Sequence, residues 1–183
     1  SLRGAGSTVV EHDVATLDEE QPLKGEQFDL IVSLSSVDRV NDLPGALLHM
    51  RNALADDGLM VASFLGAGIL PNLRRAMIAS EPDRPTARMH PLVDNQAASA
   101  LLQRALFKRQ VVDSRRLTVS FASLDRLVSD LRDQGLGSTL ANVPPPLGKR
   151  AKTRADNAFM TAANDKGRVL ETFEILTLTG WKD

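Results

Sequence analysis

Leu30, Ile31 and Val32 stand side by side in the run Phe28-Asp-Leu-Ile-Val-Ser-Leu34, and a strand apolar on both faces constrains this chain more than any other feature. Such a strand is expected in the interior of a parallel sheet, with helices over both surfaces. The next thirty residues fit that placement. Asn41 and Asp42 offer a side-chain oxygen as helix cap, Pro44 sits in the first turn, and Leu43, Ala46, Leu47, Met50 and Leu54 recur at helical spacing. Asp56-Asp57-Gly58 then reads as a helix stop with glycine in the left-handed conformation, before a second apolar run, Leu59 to Leu65. Strand, helix and strand in so short a stretch predict a right-handed crossover with the two strands parallel.

The second half alternates less regularly. Pro71 to Ser80 reads as a helix carrying Leu73, Met77 and Ile78, and the prolines at 82 and 85 forbid its continuation. Asp94 caps a further helix with Ala97, Ala98, Leu101, Leu102 and Ala105 inward. Val111-Val112 and the alternating Leu117, Val119 and Phe121 read as one long bent strand or a hairpin. Ser123 caps a helix bearing Leu124, Leu127, Val128 and Leu131, which Gly135 and Gly137 end. A stiff connector, Pro144-Pro145-Pro146, leads to a basic-faced helix from about Lys149 to Ala163 and then to a last strand, about Val169 to Thr179. At the other end, Thr8 to Asp13 reads as a short strand closed by an acid.

Composition narrows the function classes. The 183 residues, 43% of them hydrophobic, suffice for one domain over residues 1–183, with a helical excursion at about 70–165. Charges nearly cancel, 22 basic against 23 acidic, so no field points to nucleic acid. Cysteine is absent from the chain, which excludes a disulfide framework and a thiolate metal site, and a reducing cytoplasm is the expected location. No apolar run reaches the length of a bilayer span. His12, His49 and His90 lie on separate elements without metal-ligand spacing, so no metal site is expected. Lys149, Arg150, Lys152 and Arg154 form either a solvated face or a contact for an acidic partner.

Two places carry candidate site chemistry. An adenine ring at a strand end wants an acceptor for its exocyclic amine and a backbone N–H for a ring nitrogen, and Asp13 with Val14 can supply both. Ser33, Leu34 and Ser35, with Ser36, lie where the first strand opens at its carboxyl end, the edge at which open α/β sheets place ligands.

These landmarks in order, Asp13-Val14, Phe28 to Ser33, Val40 to Pro44 and Leu54 to Leu59, resemble the middle of a class I S-adenosylmethionine-dependent methyltransferase. Leu101-Leu-Gln-Arg-Ala105, Val112-Asp113, Leu117-Thr-Val119, Asp130-Leu-Arg132, and the ending Gly167-Arg168 with Thr172 to Ile175 and Gly180-Trp181 narrow the resemblance. They point to the group containing the malonyl-carrier-protein methyltransferase and the methyltransferase-like assembly factor of respiratory complex I, an arginine hydroxylase, and the second is more similar. The resemblance implies a Rossmann-like α/β fold, mostly parallel, with an antiparallel carboxy-terminal strand and a helical insertion. It also implies S-adenosylmethionine as cofactor, with Asp13, Val14, Ser33, Leu34 and Ser35 on its adenine side.

A glycine-rich turn and a ribose-binding acid are missing from the match, because Gly4-Ala5-Gly6 follows no strand and opens no helix. The fold is therefore expected as an amino-terminally truncated one, its gap falling between the Thr8 strand and the Phe28 strand. Exposed sheet edges should then be covered by an amino-terminal segment or a dimer mate. The expected activity is methyl transfer to a protein partner in respiratory assembly. A non-catalytic assembly module and a carrier-protein or small-molecule methyltransferase are the alternatives, and no general base can be named.

Overall fold

The computed structural model describes residues 8–11, 21–23, 27–37, 40, 42–83, 88–89, 92–134, 136 and 144–183. Along these run β1 (Phe28–Leu34), α1 (Leu43–Ala53), β2 (Leu54–Leu65), α2 (Pro71–Ser80), α3 (Asn95–Arg104), β3 (Lys108–Phe121), α4 (Leu124–Asp133), α5 (Lys149–Met160) and β4 (Val169–Trp181). The three caps read from the sequence form: the side chains of Asp42, Asp94 and Ser123 accept the backbone N–H groups of Gly45, Ala97 and Arg126. Each satisfies a donor that the first helical turn leaves open.

The sheet order is β1-β2-β4-β3. β1 and β2 are parallel, as the crossover predicts, while β4 runs antiparallel to both β2 and β3. Three strands thus share a direction and the carboxy-terminal strand opposes them, although among the described residues only one hydrogen-bonded pairing is parallel. β3 is a single 14-residue strand, not a hairpin.

Several expectations change. β1 is an edge of the described sheet, not an interior strand, and Leu30, Val32 and Leu34 are exposed. Thr8 to Glu11 lie outside any strand, and the rest of that expected strand falls outside the described residues. Asp57, not Gly58, takes the left-handed conformation, at φ 60°. Gly58 answers a different need, since a Cβ there would stand 2.7 Å from the Ala55 carbonyl oxygen and 3.0 Å from that of Phe28. That closeness accompanies a shift of register: Phe28 pairs with Leu54 and Leu30 with Leu59. Ala97, expected inward, is exposed, because Ala98 and Leu102 supply the buried stripe of α3.

Two apolar clusters hold the layers. α1 and α3 cover one sheet face, burying Leu47, Met50 and Leu102 against Met60, Ala62, Phe64, Leu176 and Leu178. α2, α4 and α5 gather at the carboxyl end of the parallel strands, where Leu73, Leu127, Ala155 and Phe159 pack with Phe121 and Val169. At roughly 1.5–3 kcal/mol per fully buried side chain, each cluster outweighs any single ion pair on the surface.

Candidate functional site

The carboxyl ends of β1 and β2 and the start of β4 meet at one edge, since Leu34 pairs with Ser63 and Leu65 with Ile175. Ser33 is buried there, and its hydroxyl shares a hydrogen bond with that of Ser36. Leu34 beside it is 69% exposed. Ser35 takes φ 51°, a left-handed conformation uncommon for a residue with a side chain, and its N–H donates to the Ser63 carbonyl at 2.7 Å. Such strain persists only where its surroundings fix it. Val37 turns back into the α1 cluster.

From β2 the chain passes to α2 along β4. Gly66 donates to the Glu174 carbonyl at 2.9 Å, and a Cβ on Gly66 would approach Leu176 Cγ to 2.8 Å, so only glycine permits this passage. Leu70 N–H then donates to the Thr172 carbonyl at 2.9 Å. Leu70 is itself left-handed and gives α2 no side-chain cap. Glu171 takes that role from β4: its carboxylate accepts the N–H of Leu73 at 2.6 Å, the N–H of Asn72 at 3.3 Å and the Asn72 amide at 3.4 Å. Burial pushes its pKa up, and the three hydrogen bonds together with the Arg75 charge oppose that rise.

Sequence reasoning missed Glu171. Its signal lay in the strand period, for Glu171 alternates with Val169 and Phe173 on an inward-facing row, where an acid must find donors. The absence of a capping side chain at residue 70, just before Pro71, was the matching half of that signal.

Of the residues read for the cofactor, Ser33, Leu34 and Ser35 come together at this edge, while Asp13 and Val14 lie outside the described residues. A cofactor of this kind needs an acceptor for its ribose hydroxyls and donors for its amino-acid end. The described exit, Ser33 to Val37, carries neither carboxylate nor glycine, and two of its hydroxyls are spent on each other. These residues do not by themselves fit the group.

The other candidates resolve into structure. Lys152 bridges Asp125 of α4 at 2.9 Å and Asp156 of its own helix at 2.8 Å, and Arg154 donates to the Ser80 carbonyl that ends α2. Half of the basic stretch is thus spent joining helices. His49 is half-buried on α1, and His12 and His90 lie outside the described residues. Among the described residues no group of metal-ligating side chains gathers, and no helix is long and apolar enough to cross a membrane.

No protein-family model matches the chain. Arginine-hydroxylase NDUFAF5, mitochondrial, of Homo sapiens is 28% identical over all of this chain, which spans 54% of that protein. The Mus musculus protein of the same name is 30% identical, with 94% of this chain matched to 53% of that one. Malonyl-[acyl-carrier protein] O-methyltransferase of Gallionella capsiferriformans is 27% identical across 90% of this chain and 56% of its own length. The chain therefore spans about half the length of these relatives. Among solved structures, one from Bacillus halodurans named for a methyltransferase superposes with TM-score 0.56 at 12% identity, over 94% of this chain and 70% of that one. The YcgJ protein of Bacillus subtilis gives 0.51 at 13% identity, over 90% and 68%. The fold is that of the class I methyltransferases, and the chain's sequence relatives are the NDUFAF5 proteins and the malonyl-carrier-protein methyltransferases.

Proposed function

We propose that the chain belongs to an S-adenosylmethionine-dependent methyltransferase-like protein acting on a protein partner in the assembly of a respiratory complex. The observation that carries this reading is the likeness of the chain to arginine-hydroxylase NDUFAF5 and to malonyl-carrier-protein methyltransferases, with the Ser33 to Ser36 edge lying where ligands of such sheets bind. A buried hydroxyl, a strained Ser35 and an exposed Leu34 stand at the carboxyl end of β1, where ligands of such sheets lie. Beside it, α2, α4 and α5 pack over the carboxyl ends of the strands with their apolar residues buried. Methyl transfer asks chiefly that the nucleophile be positioned, so a missing general base counts neither for nor against it. A cytoplasmic place of action belongs to the same proposal, and cell fractionation tests it.

A second reading, a non-catalytic assembly module on this fold, is favoured by the lack of ribose and methionine contacts among the residues of the β1 exit. Affinity capture from the source cells, paired with a transfer assay using radiolabelled S-adenosylmethionine, separates the readings. Label on a captured respiratory subunit supports the first, and capture without label supports the module. Label on an acyl carrier protein or a small molecule overturns both. Calorimetry adds a check: we expect the 183-residue chain alone to show no micromolar affinity for S-adenosylmethionine, and such an affinity would mean that the chain holds the group after all.

A further inference from the structure

Among the described residues the Glu174 carboxylate is engaged through one oxygen only. Oε1 accepts the Ser114 hydroxyl at 2.8 Å and the Arg116 guanidinium at 3.4 Å, both across the pairing with β3. Oε2 accepts no hydrogen bond from a described residue. It lies instead beside Gly66, where a Cβ would stand 3.3 Å from it, so the glycine that opens the passage out of β2 also leaves this oxygen uncovered. The Glu174 side chain is only 13% exposed. Its place is at the carboxyl edge of the parallel strands, two strands across from β1 and on the same sheet face as Ser33.

A carboxylate withdrawn this far from water is costly unless donors meet both oxygens. Arg116 meets the need poorly, being 77% exposed and farther from Oε1 than a strong charged hydrogen bond allows. A guanidinium or an ammonium group brings several N–H donors together with the opposite charge. We propose that Glu174 Oε2 receives a cationic side chain, guanidinium or ammonium, of the protein acceptor. Assigning that cation to the acceptor rests on the activity proposed above, whereas the site itself rests on the geometry of Glu174 and Gly66.

Amide chemical shifts of the 183-residue chain, followed while N-acetyl-arginine amide, N-acetyl-lysine amide or the neutral N-acetyl-glutamine amide is added, test the site. A saturable shift at Gly66, Ala67 and Ile175 is expected with a cationic probe and not with the neutral one, and the tighter of the two cations names the group. Glu174→Gln, which keeps an oxygen for Ser114, is expected to weaken the binding at least about tenfold. Arg116→Ala, which removes the ion pair at Oε1 and spares Oε2, is expected to keep the affinity. A tie between β3 and β4 and nothing more would lower the stability of both variants and leave no probe binding to lose. The proposal is overturned by the absence of shifts at these residues, by equal binding of the neutral probe, or by undiminished binding in a folded Glu174→Gln chain. Where Glu174→Gln unfolds, the contrast between charged and neutral probes on the unaltered chain decides. The titration needs neither S-adenosylmethionine nor the partner, so its failure is distinct from a failure of the transfer assay.

Discussion

The carboxylate of Glu171 accepts the backbone N–H of Leu73 at 2.6 Å, joining residues 98 positions apart. Through this contact the central strand β4 begins the helix α2, whose own N-cap residue, Leu70, offers no side-chain acceptor.

Glu171→Ala is expected to lower stability by about 1–3 kcal/mol, since it leaves the N–H groups of Asn72 and Leu73 without their acceptor. Glu171→Gln, which keeps an acceptor oxygen, should lose less. Urea denaturation of the two variants checks the order, and equal losses would deny the capping role.

The same residue gives a pH dependence with a definite sign. Burial raises the folded-state pKa of Glu171 above its ordinary value of 4.5, so in that window the folded chain holds the proton more tightly than the unfolded chain does. Its contribution to stability is therefore full below the unfolded value and declines as pH rises through the folded one. Subtracting the Glu171→Gln stability profile from that of the unaltered chain should leave a component that falls with rising pH. A component that rises would contradict the upward shift.

Ser35 at φ 51° predicts an asymmetry between substitutions. Ser35→Gly relieves a left-handed conformation and is expected to hold stability or raise it by no more than about 1 kcal/mol, whereas Ser35→Val should cost about 1–3 kcal/mol. Thermal denaturation checks both. If the strained turn shapes the ligand edge, the glycine variant will also bind its partner more weakly despite its stability.

Gly180 packs under Phe107: a Cβ there would approach Phe107 Cβ and Cγ to 2.8 Å. Gly180→Ala is expected to cost about 1–3 kcal/mol by overpacking, and Phe107→Ala in the same chain, which removes the Cγ and Cδ1 atoms that the new methyl would meet, should recover part of it. Strict additivity of the two changes, measured by denaturant unfolding, would show that the ring does not set the tolerance at residue 180.

Local signals were legible in the sequence because their causes are local. Asp42, Asp94 and Ser123 cap the helices that they precede, and the apolar spacing around Leu47 and Leu102 places both in the core. What stayed hidden depends on partners distant in the chain. The apolar run of β1 reads as interior, yet which strands flank it is a property of the whole sheet, and here it forms an edge. Leu54 fits the helical stripe of α1 but enters β2, because pairing with Phe28 overrides the helical period. At the candidate site, the serines of the β1 exit were readable from the rule that ligands lie at carboxyl ends, whereas Glu171 required knowing that β4 passes beneath α2.

The strand that comes last in the chain lies between β2 and β3, pairing Leu59 with Trp181 on one side and Phe121 with Val169 on the other. During synthesis β2 can pair with β1 on one side, but its other side and β3 wait for β4 to emerge, so the sheet can close only after residues 169–181 have been made. Long-range pairing of that kind slows folding and lengthens the exposure of apolar strands. A stop codon at residue 169 would therefore remove the middle of the sheet, and leave a chain for the cell's chaperones and proteases.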